Sequence, residues 1–583
     1  MLSEFKPLTI YFVKNRTALS LGLLSLLIVD FLQLLIPMVI KSSIDSLTFG
    51  EAQSGLLLRY AVLIVGIACT IAIFRYIWRY LVIGHSRKLE KALRIRLYEH
   101  LQTLSASFYW RTNTGDLMAR AVNDIDAIRM AAGMGLVALT DGIVIGLATI
   151  GFMAYINIKL TLISIIPAPF IFYFTLIITK RVGKQFTEVQ KTFSGLTESV
   201  REAFSGIRVI KSYNRQKWAY TRVEKKGKEY VNDNITLSKT IALFFPMMTL
   251  FTNLGLAMVI WFGGRLTILG DITTGDFVAF ISYLNLLTWP IMALGWVTNM
   301  IKRASSSMKR INEVLTEAPE ITNQKPNLFK GALKGTIWTS DLTFHYPKEK
   351  NPALDNINLF IEAGQTAAIV GRVGSGKSTL MQTIPRLVET EKGMITIDGI
   401  NLHDMDLRHI RESIGFVTQE SYVFSDTILN NIIFGRTGIK PSIIEDAVEI
   451  SRLTTDIDSF PDGINTFLGE KGITLSGGQR QRLTIARALI SNPPILIMDD
   501  VLSQVDTKTE ATILRNILLH RKGRTNIIVS HRLSTIRKAH IIYVLKGGNL
   551  VEKGSHSTLI TKGGEYAKLY ERQQLSEELE RKL

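Results

Sequence analysis

The sequence predicts an α-helical six-span transmembrane domain followed by an α/β P-loop domain with a helical subdomain. Three observations carry that expectation. Of the 583 residues, 47% are hydrophobic, and the long apolar runs all lie before about residue 305. Six of those runs are long enough to cross a hydrocarbon core of about 30 Å. After them, a glycine-rich turn follows an apolar strand at 366–370, the pattern of a phosphate-binding loop.

The expected spans are residues 17–40, 56–82, 134–156, 160–178, 241–262 and 277–297. Arg75 and Arg79 interrupt the second span and mark where it leaves the lipid. Spans two and three are separated by about fifty residues, and four and five by about sixty; the other connections are short. Both long connections read as helical and basic, with Arg87, Lys88, Lys91 and Arg94 in the first and Lys180, Arg181, Lys184 and Lys191 in the second. The short turns carry almost no positive charge. Lys and Arg gather on the cytoplasmic side of membrane proteins, which puts both long connections and both termini there.

The same rule accounts for the formal net charge of +18 without a nucleic-acid partner. The single cysteine, Cys69, lies inside an apolar run, so neither a disulfide framework nor a zinc cluster is expected. The first apolar run is too long for a signal-peptide core and lacks a small-residue cleavage site, so no cleavable leader is expected. Asp30 and Asp141 fall within spans, where charge is expensive and usually faces protein or water. A substrate path and simple helix packing both remain open for them. The domain limits read as 1–316 for the membrane domain with its two long cytoplasmic loops and 317–334 for a polar linker with Pro319 and Pro326. The α/β domain then covers 335–575, and 576–583 is a charged tail.

In the α/β domain the strongest signal is Gly371-Arg372-Val373-Gly374-Ser375-Gly376-Lys377-Ser378-Thr379. Gly371, Gly374 and Gly376 let backbone N–H groups turn inward around phosphate oxygens, which side chains would block. The helix that follows points its positive end at the same charge. Lys377 reaches the outer phosphates of a nucleotide, and Ser378 is placed to ligate Mg²⁺. About 120 residues downstream, the apolar strand 495–498 ends in Asp499, the carboxylate a second Mg²⁺ contact requires.

Leu475-Ser476-Gly477-Gly478-Gln479 makes the reading specific. It resembles the signature motif of the ATP-binding cassette (ABC) family, which other phosphate-loop ATPases lack. The remaining motifs follow in the family's order. Tyr346 resembles the aromatic residue that stacks on adenine. Gln419 resembles the glutamine that senses Mg²⁺ and the attacking water, and His531 the switch histidine at the γ-phosphate. Residues 503–506 resemble the loop after the second carboxylate strand. Six helices before the cassette resemble the exporter branch, with 108–116 and 202–211 like its two coupling segments. The resemblance covers essentially the whole chain.

What the resemblance implies is an ATP hydrolase coupled to transport, using ATP and Mg²⁺. Two cassettes pair head to tail, so Ser476, Gly478 and Gln479 serve the nucleotide held by the partner's phosphate loop. One position departs from the pattern. After the Mg²⁺ carboxylate the family usually has glutamate, which positions the hydrolytic water; here stands Asp500, one methylene shorter. Misplacing a general base by about 1 Å can cost about a hundredfold in rate. The expectation is therefore a heterodimer in which a different chain carries the glutamate and this chain's own site is impaired; a homodimer with two active sites is the alternative. The expected cargo is a hydrophobic or amphipathic drug or lipid, moved across a bilayer, the bacterial inner membrane. The six spans argue against a soluble ATPase working on nucleic acid. A channel of the same architecture stays open, and an importer is disfavoured because importers usually keep membrane and cassette parts on separate chains.

Overall fold

The computed structural model describes residues 2–50, 54–323, 328–347, 349–469, 475–530, 532 and 536–582. The chain divides into two compact units, Met1–Gln102 with Thr114–Glu317, and Thr103–Asn113 with Ala318–Leu583.

The first unit is helical throughout. Five helices are long and apolar enough to cross a membrane: Arg16–Thr48, Ser54–Thr103, Thr114–Ile156, Ile158–Ser205 and Gln216–Ile268. The expected sixth span lies within the helix Thr274–Leu315. Its described apolar part is the shorter stretch Thr274–Leu287, because side chains at 288, 291, 292 and 294 lie outside the described residues. By length and composition, five spans are seen among the described residues where the sequence predicts six. The long helices run on without a break from apolar into basic sequence, as Ser54–Trp78 does into Gly84–Thr103 through the turn Arg79–Ile83. Both long connections are thus helical, as their composition predicts.

Polar side chains cap the starts of two of these helices. Asn157 caps Ile158–Ile165, its side chain accepting from the Leu160 N–H at 2.9 Å. Thr273 caps Thr274–Leu315 and shares a reciprocal capping box with Asp276. That helix start presses against Arg16–Thr48: a Cβ at Gly275 would sit 2.3 Å from the Lys41 carbonyl oxygen. The close approach lets the Gly275 N–H donate to Asp45 at 2.8 Å and Lys41 pair with Asp276 at 2.5 Å. Inside, the buried Tyr283 hydroxyl donates to the Leu34 carbonyl at 2.8 Å. Asp30 is 1% exposed and lies within electrostatic reach of Asp141 and Arg75, so it is turned to protein and not to lipid. Apolar residues such as Val65, Phe170 and Trp261 stay exposed on the outer faces, as expected where lipid is the solvent.

The second unit is built on a six-stranded sheet. Its order is Asn549–Gly554, Ile541–Lys546, Thr366–Gly371, Thr525–Val529, Ile495–Asp499, Ile414–Val417. The neighbouring pairs from Ile541–Lys546 to Ile414–Val417 are parallel; only the edge strand Asn549–Gly554 is antiparallel. Thr366–Gly371, Ile495–Asp499 and Thr525–Val529 are buried at every position, in keeping with their largely apolar sequences. A smaller four-stranded antiparallel sheet around Ile337–Thr339 and Ile395–Ile397 packs over the same core. A second cluster, from Ile428 and Val448 to Leu483, forms the helical subdomain. The segment Thr103–Asn113 groups with this unit: Phe108 is buried, and Ser105 Oγ accepts from the Ile321 N–H at 3.2 Å.

Candidate functional site

In parallel α/β sheets, ligands bind at the carboxyl ends of the strands. Here the ends of Thr366–Gly371, Ile495–Asp499 and Ile414–Val417 all open onto one cavity of about 290 Å³. It brings together Tyr346, Gly374, Ser375, Gly376, Lys377, Ser378, Thr379, Gln419, Asp499 and Asp500. Gly371 lies beneath it, where an added Cβ would meet Leu545 O at 2.2 Å.

The loop's shape depends on its glycines. Gly376 caps the helix Lys377–Thr383 at φ 95°, and a Cβ there would sit 2.6 Å from the Ala353 carbonyl oxygen. The result is a concave turn at a helix start, the arrangement that takes anions. Ser375 Oγ is buried in it with no hydrogen-bond partner among the described residues, an orphan donor of the kind a phosphate oxygen satisfies. Lys377 is 7% exposed, and its ammonium donates to the carbonyls of Gly371 at 2.9 Å and Arg372 at 2.8 Å. Burial pulls its pKa below the usual lysine range, while Asp499 and Asp500 pull it back up. A hydroxyl on Ser378, a carboxylate on Asp499 and an amide on Gln419 form the hard, oxygen-rich donor set that suits Mg²⁺.

Asp500 is 9% exposed and sits at φ 48°, a left-handed conformation that aspartate tolerates better than most residues. Its N–H donates to the Val529 carbonyl at 3.0 Å, which pins the backbone just past the strand end. Tyr346 lies over the helix start, its hydroxyl 2.9 Å from Thr379 Oγ1. Its ring meets Phe344 edge-on at 5.2 Å and Trp110 at 4.9 Å.

The signature residues are elsewhere. Ser476, Gly478 and Gln479 do not line this cavity. Ser476 caps the helix Gly477–Leu489 in a reciprocal box with Gln479: Ser476 Oγ accepts at 3.2 Å and Gln479 Oε1 at 2.8 Å. Gln479 and Arg482 both donate to Asp456, at 3.0 and 2.6 Å. Gln481 Oε1 accepts from the Gln504 N–H at 3.1 Å, which ties the helix to the loop after Asp500. His531 lies outside the described residues.

Sequence reasoning missed two features. Trp110 sits far from the cassette in sequence, and no local pattern announces that it will meet Tyr346. Asp456 holds the signature helix from another helix, Thr454–Asp458, and only a contact across the chain reveals it.

Residues 19–291 match the family description for the ABC transporter transmembrane region, and residues 354–503 match that for the ABC transporter. A probable multidrug resistance ABC transporter ATP-binding/permease protein of Bacillus subtilis, YheI, is 34% identical over 99% of this chain and 98% of its own length. The chain belongs to the ABC transporter family. A further relative of this transporter, the multidrug resistance-like ATP-binding protein MdlA of Escherichia coli, is 35% identical over 99% of this chain and 98% of the relative. An ATP-dependent lipid A-core flippase of Aromatoleum aromaticum is 33% identical over 91% and 90%. Among solved structures, a bacterial Atm1-family ABC exporter with ATP bound superposes with a TM-score of 0.78 at 25% identity, covering 96% of this chain and 98% of that one. The ABC transporter thus has a helical membrane domain followed by an ATP-binding cassette, with the exporter fold. It is an ATPase-coupled translocase of bacterial membrane type, and the cavity above is in its ATP-binding domain.

Proposed function

We propose that this chain is one half of a six-span exporter that moves a hydrophobic or amphipathic drug or lipid out of the bacterial inner membrane by alternating access. Its partner is a different half-transporter carrying the catalytic glutamate. The observation that carries the dimer is that the ATP cavity is assembled without Ser476, Gly478 and Gln479, although the capping box holds that motif ready to meet a ligand. A motif so ordered and so placed serves a nucleotide presented by another chain. The second coupling segment fits the same reading. Around Ile207–Ser212 it exposes Phe204, Val209 and Tyr213, apolar surface suited to burial against a partner.

In this reading Lys377, Ser375 and the glycine turn hold the ATP phosphates, and Tyr346 stacks on the adenine. Ser378, Gln419 and Asp499 hold Mg²⁺, which neutralises charge on the phosphates. Asp500 and His531 order the attacking water and the γ-phosphate. Asp500 reaches one methylene less than glutamate does, so this site holds ATP longer than it turns it over. ATP then acts as the adhesive between cassettes, and its loss at the partner's site resets the cycle. The names of the relatives support a drug or lipid cargo.

The test is to copurify the chain from its native membrane, identify what remains bound, and reconstitute the pair in vesicles against a panel of lipids, cationic dyes and peptides. ATP-dependent movement of lipid or dye together with a second half-transporter supports the reading. Movement of none of them, or inward movement, contradicts it.

A further inference from the structure

A second cavity, of about 450 Å³, lies in the membrane unit where the start of the helix Arg16–Thr48 meets the turn Arg79–Ile83 of the next helix. Arg79, Arg87, Lys88 and His85 line it, with Tyr76 and Tyr80 beside them. Here the second apolar run gives way to basic sequence, so the cavity is at the level of lipid headgroups on the cytoplasmic side.

Among the described residues Arg79 and Lys88 form no ion pair; Arg79 only lies over the Trp78 ring, at 5.6 Å. Arg87 shares Glu90 with Arg94. Positive charge is therefore in excess around the opening. The inner wall is built, not merely charged. His85 is 2% exposed, its ring 5.1 Å from that of Phe12, and among the described residues neither of its ring nitrogens has a hydrogen-bond partner. A buried polar group in that state asks for a ligand. Tyr76 and Tyr80, 72% and 71% exposed, stack with ring centres 6.4 Å apart, as residues of an interfacial aromatic belt do. The turn itself has π-helical hydrogen bonding, as do three other short segments of this unit.

We propose that this cavity binds the headgroup of an anionic phospholipid from the cytoplasmic leaflet. Its phosphodiester accepts from the His85 ring and pairs with Arg79 and Lys88, its acyl chains lie along the exposed tyrosines, and the lipid ties the first two spans together. Basic pockets between membrane helices on the cytoplasmic side recognise such headgroups. The inference needs the chain to be membrane-embedded and depends on nothing about its cargo or its partner.

The test uses the full-length protein in mixed micelles of phosphatidylglycerol and phosphatidylcholine, with retained lipid counted by native mass spectrometry. Wild type is expected to keep phosphatidylglycerol over phosphatidylcholine. Loss of two cations at about fivefold each gives the Arg79→Gln/Lys88→Gln double variant an expected ~25-fold weaker preference. Lys180→Gln/Arg181→Gln, with the same charge change on another helix, should keep it. His85→Gln, which changes no cation, should also weaken retention, and ATP binding reports that each variant is folded. No preference in wild type, equal retention by the Arg79/Lys88 and the control variants, or displacement of the lipid by inorganic phosphate would each overturn the proposal. The last would mark a plain anion site.

Discussion

Lys377 makes the sharpest case at the scale of single residues. It is buried, its ammonium is held by two carbonyls of its own loop, and desolvation disfavours its charge. A phosphate offers it a full negative partner in a dry site, and a hydrogen bond to a charged group contributes about 1.5–3 kcal/mol. Lys377→Ala is expected to weaken ATP binding by about 10- to 100-fold in an equilibrium titration. Asp124 carries a stability prediction instead. It accepts from Ser307 Oγ at 2.9 Å and Arg310 Nε at 2.8 Å where the membrane-unit helices run on into polar sequence. Burial raises its pKa, but the hydrogen bonds from Arg310 and Ser307 prevail and hold it below the usual aspartate range. Its contribution is thus present above the unfolded value of about 3.9 and lost as pH falls through the lower folded value. Asp124→Asn should lower the melting point of the purified protein at pH 7 by an amount matching about 1–2 kcal/mol, since Arg310 is half exposed. An unchanged melting curve would show that the pair is ornamental.

At the scale of elements, the signature helix can be judged apart from the cavity. Ser476→Ala removes a cap contributing about 1 kcal/mol. Because Ser476 does not line its own chain's ATP cavity, that variant should leave ATP affinity of the isolated chain unchanged while ATPase of the assembled pair falls. Weakened ATP binding by the isolated chain would place the motif in its own site. The helices show what the sequence could and could not say. Apolar runs and basic extensions were legible, and so was the order of cassette motifs around Gly371–Thr379 and Asp499, because each rests on local spacing. Helix ends were blurred because Ser54–Thr103 and Gln216–Ile268 pass from lipid to water without a break, so hydropathy marks the membrane and not the helix. The Asp124–Arg310 pair, the meeting of Trp110 with Tyr346 and the contact of Gly275 with Lys41 stayed hidden, since each joins residues far apart in sequence.

At the scale of the whole molecule, the chain carries a glycine-rich phosphate cradle, an aspartate at position 500 beside it, and an ordered Ser476–Gln479 capping box that does not line the same cavity. Under the proposed pairing with a different half-transporter, those three features would make the two ATP sites of the assembled transporter unequal. The asymmetry has a direct readout in steady-state ATPase of the chain purified alone and then with its partner, each as wild type and as Asp500→Asn. Little turnover alone is expected, with strong turnover on adding the partner that Asp500→Asn changes only modestly. Robust ATPase by the chain alone, abolished by Asp500→Asn, would contradict the account and make this a homodimer with two active sites.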